Sequence, residues 1–243
     1  MRGFRARRRP ARREQMKDRN GWSPDVTEPT SFRAGAPEAA LAMAAGLALG
    51  LQVAGRLQNG DEGAALVVWQ LSRYFTILTV ASVAVVLARA ALTGRQPGPR
   101  LAGGLALAAI ITGLIYHLLL AHLEDPQGLR YWSNLLLHTV VPVGAGLWWL
   151  SRAPKAGLGP RDLGVWALYP AGYAVYAVAR GILGDAYPYP FLDLEELGWA
   201  GLLREAGGVA AAYLAAGALL LLAARITARV WRPQSASPGS SRR

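Results

Sequence analysis

The sequence contains no cysteine. That excludes disulfides, thiol nucleophiles, Fe–S clusters and Cys-ligated zinc. Histidine is nearly absent too, with three copies in 243 residues. His117 and His122 stand five apart, about 140° round one helix, so they do not share a metal easily. A His117–His138 pair is the one remaining haem or metal reading, and the expectation is that the protein carries no metal and no cofactor. Charge is scarce as well, at 17% of residues against 53% apolar ones. The charge that exists is unbalanced: 26 Lys+Arg against 15 Asp+Glu give a net +11.

Cutting the chain explains the imbalance. Residues 1–36 hold ten of the basic residues and read as a disordered basic cytoplasmic tail. Residues 37–231 are long apolar stretches broken by short polar loops, and 232–243 form a second disordered cytoplasmic tail rich in Ser. A helix needs about 20 apolar residues to cross a bilayer. Six stretches qualify, at 37–57, 64–90, 101–122, 131–151, 163–183 and 199–229. An ordinary soluble globule is excluded, and lipid permits only helices in such spans. The fold expected is an all-α integral membrane protein, a bundle of six transmembrane helices with a polar chamber in its outer half.

Lys/Arg placement gives the orientation. The N-terminal tail, the loop with Arg89, Arg95 and Arg100, the loop with Arg152, Lys155 and Arg161, and the C-terminal end together hold 21 of the 26 basic residues. The alternate loops are acidic: Asp61 and Glu62, then Glu124 and Asp125, then Asp185, Asp193, Glu195 and Glu196. Both termini are therefore expected in the cytoplasm of a cell with an inner or plasma membrane. The basic charge then marks topology, or contact of Arg7–Arg9, Arg12 and Arg13 with anionic lipid heads; no nucleic-acid partner is implied. The Ala/Arg/Gly/Leu bias fits a GC-rich bacterial genome.

Once oriented, the spans keep their ionisable groups in the outer half: Arg73 on span two, His117 and His122 on span three, His138 on span four, Arg180 on span five, Arg204 and Glu205 on span six. Either the arginines snorkel to the headgroups or the groups line one chamber that opens outward. Arg73 and Thr76 are i, i+3 and Asn134 and His138 are i, i+4, so each pair would share a helix face. Thr76 lies about 18 Å into span two from Ala64, and His138 about 10 Å into span four from Tyr131. A hydroxyl beside an imidazole is the minimum for nucleophilic acyl transfer. Pro142, four residues after His138, would free the His138 carbonyl and kink span four. The loop 185–198 carries two X-Pro steps among aromatics and reads either as an interfacial aromatic belt or as a stiff lid over the chamber.

Ser72-Arg-Tyr-Phe-Thr76-Ile-Leu-Thr79, Leu137-His138-Thr139-Val-Val-Pro142 and Tyr187-Pro-Tyr-Pro-Phe-Leu-Asp193 together resemble the bacterial six-span "Pr-six-Pr" membrane proteins. That group is similar to the animal androgen-induced and androgen-dependent TFPI-regulating proteins, intramembrane threonine hydrolases of fatty acid esters of hydroxy fatty acids. The resemblance runs over about residues 64–225. It implies Thr76 as nucleophile and His138 as base; where the bacterial pattern often has Asn, this chain has Val80. Arg73 or the Asn134 amide would stabilise the oxyanion, or Arg73 would hold a fatty-acid carboxylate, with His117 lining the same chamber. Glu205 is the nearest acidic group by depth. The expected function is an intramembrane hydrolase of lipid esters, with the bilayer and a lipid ester as partners. The alternative is a non-enzymatic membrane protein that binds lipid, transports or serves in an assembly, although the inner halves lack polar groups to line a transport path.

Overall fold

A computed structural model describes residues 33–230 apart from 59, 61 and 62. Residues 1–32 and 231–243, which hold most of the two tails, and the acidic pair Asp61 and Glu62 lie outside the described residues. All regular structure among the described residues is helical. The helices are α1 (Ala36–Leu57), α2 (Ala64–Leu71), α3 (Phe75–Thr93), α4 (Pro99–Ile115), α5 (Leu129–Leu135), α6 (Val141–Ser151), α7 (Arg161–Ile182) and α8 (Leu194–Val230). A π-helical turn over Tyr116–Leu120 extends α4, and another over Leu136–Val140 joins α5 to α6. Four helical stretches are long and apolar enough to cross a membrane: Ala36–Leu57, Phe75–Thr93, Pro99–Leu123 and Leu194–Thr227.

Small residues bring the helices together. Ala42, Ala45 and Ala48 of α1 are buried in the same core as Val80, Val83 and Leu87 of α3, and α1 packs on α3. Where no water competes for apolar surface, such close backbone approach is what holds helices to each other. On α4 the Trp166 indole lies against Gly103 and Gly104, where an added Cβ would meet the ring at 2.5 and 2.8 Å. The indole N–H donates to the Arg100 carbonyl at 2.8 Å, so one side chain fixes α7 on α4 by shape and by hydrogen bond. Pro170 interrupts α7 and supplies no N–H to the carbonyl of Trp166, four residues back. The Tyr213 hydroxyl of α8 donates to that carbonyl at 3.1 Å.

The expected second span is not one helix. It is split at Ser72–Tyr74, with Tyr74 extended at ψ 130 before α3 begins. The pattern lacks any Gly or Pro there, so nothing local announces the break. Its cause is tertiary: side chains of α7 take over the carbonyls that a continuous helix would have bonded.

At the opposite end of the bundle a fully buried carboxylate, Glu38, ties three parts of the chain together. It accepts from the Gly35 amide at 2.7 Å, Gln96 Nε2 at 2.7 Å, Trp148 Nε1 at 3.0 Å and Arg152 Nε at 3.0 Å. Removing one partner of such a buried pair typically costs about 3 kcal/mol or more. Glu38→Ala is therefore expected to lower the unfolding temperature in detergent markedly. Arg204→Ala, at an exposed Arg204–Glu205 pair, should leave it unchanged.

Candidate functional site

The carbonyls orphaned by the break are accounted for one by one. The Trp69 carbonyl accepts from Ser72 Oγ at 2.6 Å and from Arg180 Nη1 at 3.2 Å. The Ser72 carbonyl accepts from the Tyr176 hydroxyl at 3.4 Å, and the Arg73 carbonyl from the Tyr173 hydroxyl at 2.6 Å. Arg180 also donates to Ser72 Oγ and to the Tyr176 hydroxyl, and its guanidinium lies 4.0 Å from the Trp69 ring centroid. Tyr173, Tyr176 and Arg180 stand at i, i+3 and i+7 on α7, so one face of that helix receives the whole break.

The break starts α3 at Phe75, which places Thr76 in its first turn. The first-turn N–H groups have no carbonyl within the helix to bond, and the helix dipole is positive there. Thr76 is buried and lines two cavities. The first, of about 260 Å³, has a mixed lining that includes Thr76, Asn134, His138, Arg56 and Arg130. The second, of about 300 Å³, is lined by Thr76 with Phe75, Ile111, Tyr173, Ala206 and other mainly apolar residues of α3, α4, α7 and α8.

His138 sits in the π-helical turn between α5 and α6. Its ring stacks on Tyr116 at 3.8 Å between centroids and 15° between planes. Gly113 allows the close approach behind it: a Cβ there would lie 2.9 Å from the His138 carbonyl and 3.0 Å from Pro142. His138 Nδ1 is 3.3 Å from the Asn134 carbonyl. A carbonyl only accepts, so this bond places the neutral ring's proton on Nδ1 and leaves Nε2 with the lone pair.

The remaining residues expected in the site fall in different places. Asn134 lines the cavity of His138, and its amide donates to Glu124 at 3.2 Å. His117 is exposed and hydrogen-bonds Thr139 at 3.0 Å, in a separate shallow cavity that it shares with Asn134. Arg73 stands in the break rather than on the helix face of Thr76, and its guanidinium pairs with Asp185 at 2.7 Å. Glu205 pairs with Arg204 at the surface, and Val80 is buried in the apolar core. No direct hydrogen bond joins Thr76 to His138. Two cavity arginines, Arg56 and Arg130, went unremarked in the sequence because they flank spans far apart in the chain. No cluster of three metal-ligating side chains occurs among the described residues.

The loop after α7 packs inward. The Tyr187 ring rests on Gly181, where an added Cβ would meet it at 2.0 Å. Tyr189 is buried, stacks on Phe191 at 5.0 Å and lines both cavities. Asp193 accepts from the Glu195 and Glu196 amides at 3.0 Å and caps α8. Asp185 clasps the loop to the break by bonding both Arg73 and Arg180. Burial pushes the Asp185 carboxyl up. Hydrogen bonds from Arg180 and the Ala186 amide, with the charges of Arg180 and Arg73, outweigh that and hold it below the ordinary carboxylate range.

Comparison of the chain with protein-family models, with characterised proteins and with solved structures finds no match.

A carboxylate whose folded value is lowered stabilises above its unfolded value and loses that contribution as the pH falls through the folded one. The clasp should thus hold at neutral pH and release in acid. Limited proteolysis in detergent with an acid-active protease should cut the 185–193 loop faster as the pH drops below the carboxylate range. Asp185→Asn should be cut rapidly at every pH, and so should Gly181→Val, whose side chain displaces Tyr187.

Proposed function

We propose that the chain is a six-span intramembrane hydrolase of lipid esters, with Thr76 as nucleophile and His138 as base. The observation that carries this reading is that Thr76 and His138 line one cavity, although they come from α3 and from the turn between α5 and α6. The resemblance of residues 72–79, 137–142 and 187–193 to the Pr-six-Pr proteins supports it. On this reading the cavity lies in the outer half of the membrane. The helical stretches over 129–151 and α7 are the two further crossings, and both termini are cytoplasmic.

The chemistry follows from the groups present. Thr76 Oγ1 attacks the ester carbonyl as His138 Nε2 takes its proton. The tetrahedral oxyanion is met by the Asn134 amide and by the first-turn N–H groups of Phe75 and Thr76, which hold the Tyr189 hydroxyl at rest and release it to the substrate oxygen. Collapse breaks the ester C–O bond, and His138 returns the proton to the departing alcohol. Water, deprotonated by the same nitrogen, then attacks the acyl-threonine, releasing the fatty acid and restoring the hydroxyl. Arg73, tied to Asp185, serves the break and the loop in this scheme rather than the substrate carboxylate.

Fluorophosphonate labelling and ester hydrolysis in membranes test the reading. Thr76→Ala and His138→Ala should each lose both, and the double variant should be no worse, because groups that act as a unit lose function non-additively. Thr76→Ser should keep part of the activity and Thr76→Val none. Full hydrolysis by correctly inserted Thr76→Val would leave a lipid-binding, non-enzymatic protein as the better account. Reporters fused at either terminus should read cytoplasmic and one in the 185–198 loop external.

A further inference from the structure

The two cavities that meet at Thr76 differ in chemistry. Their common wall is formed by Thr76, Tyr116, Leu120 and Tyr189. On one side the lining is almost wholly hydrocarbon and aromatic, and it reaches the protein's exterior between α7 and α8, where Ala171, Ala210 and Leu214 are exposed. On the other side Gln52, Arg56, Glu124, Arg130, Asn134 and His138 supply polar atoms and, among the described residues, two guanidinium groups against one carboxylate. A larger apolar groove of about 620 Å³, bounded by Arg100, Trp166 and Tyr213, shares none of the four wall residues. Among the described residues there is thus one almost wholly apolar space beside Thr76, whereas a second chain on the opposite side would lie among charged groups as well as Ile77, Leu123 and Leu137.

We infer that the ligand is a single-chain amphiphilic ester with an anionic polar head. Its acyl chain enters between α7 and α8 and fills the apolar cavity. The ester carbonyl lies at the wall beside Thr76, and the head occupies the polar cavity, where Arg56 and Arg130 recognise its anionic group as guanidinium recognises carboxylate or phosphate. The orientation rests on the hydrolase reading: it places the acyl carbon next to Thr76 and the departing head-group alcohol on the His138 side. Hydrolysis would release a fatty acid into the apolar cavity and the head-group alcohol into the polar one. An ester whose alcohol part is itself a long hydrocarbon would have to put that chain among Arg56, Glu124 and Arg130, at the cost of desolvating them.

The test uses the full-length Thr76→Ala protein in phosphatidylcholine nanodiscs, so that binding is read without turnover. The probes are radiolabelled single-chain lysophosphatidylglycerol, monoacylglycerol with the same chain, and two-chain phosphatidylglycerol. Lysophosphatidylglycerol should bind saturably, about tenfold tighter than the neutral monoacylglycerol, as expected for a charge-assisted contact. The two-chain lipid should not compete. Arg56→Gln with Arg130→Gln should remove the preference for the anionic head and leave monoacylglycerol binding unchanged. Ala174→Trp, which fills the apolar cavity, should weaken both single-chain probes alike. Shortening the probe's chain should do the same in the unaltered cavity, which guards against misfolding of the tryptophan variant. Equal competition by the two-chain lipid, or affinity indifferent to chain length, would overturn the inference. Wild-type protein that binds the probe with the expected selectivity but never hydrolyses it would remove the hydrolase reading and leave the ligand assignment standing. Fluorophosphonate labelling at Thr76 without saturable binding of the single-chain probes would do the reverse.

Discussion

An unbonded carbonyl away from water costs free energy comparable to a lost hydrogen bond, and the break at Ser72–Tyr74 creates several within a few residues. The rest of the arrangement answers that constraint. Tyr173, Tyr176 and Arg180 must present one face of α7 to the end of α2, which fixes the rotation of α7. Arg180, drawn in to bond the Trp69 carbonyl, brings a buried positive charge. Asp185 neutralises it and is shared with Arg73. The clasp starts the following loop at a set point, and the loop then lays Tyr187 on Gly181 and carries Tyr189 to the wall between the cavities. The same break starts α3 beside Thr76, where the Phe75 and Thr76 backbone N–H groups and the Thr76 side chain meet the Tyr189 hydroxyl that the loop brings in.

Irregular backbone gathers round this one region. The π-helical turns at Tyr116–Leu120 and Leu136–Val140 supply the stacked pair Tyr116 and His138. The π turn over Leu136–Val140 shifts the residues beyond Asn134 off the α-helical register, so His138 lines the cavity with Asn134 while Val141 stays in the core. The far end of the bundle is regular and held by compact carboxylate hubs at Glu38 and Asp162.

The helical character and most of the helix positions could be read from composition and run length alone. Thr76 and His138 were expected from their local motifs to share one chamber, and both line the same cavity. Arg73 was placed with Thr76 by assuming one continuous helix over 64–90, an assumption that only the side chains of α7, a hundred residues away, overturn. Glu38 was invisible for a similar reason. An acidic residue in a first helical turn reads as an ordinary cap, and its Trp148 and Arg152 partners are distant in sequence. The loop 185–198 announced itself through its prolines and aromatics, but not that Tyr189 would be buried rather than lie at the membrane surface.

Among the described residues His138 has the Asn134 carbonyl, not a carboxylate, as its partner, and this bears on what the proposed site could do. In a low-dielectric setting a buried carboxylate would itself need compensation, whereas a hydroxyl, an imidazole and a backbone carbonyl are all neutral at rest and cost little to bury. The Asn134 carbonyl orients the ring as an acid would, but it offers a partial charge, not a full one, to the imidazolium that forms when Thr76 is deprotonated. Stabilisation of the transition state would then fall more heavily on the donors that face the oxyanion. Apart from the Asn134 amide, those donors belong to the backbone of α3, so their alignment depends on the break being held in place. The hydrogen bonds from Tyr173, Tyr176 and Arg180 would thereby support the reaction without touching the substrate.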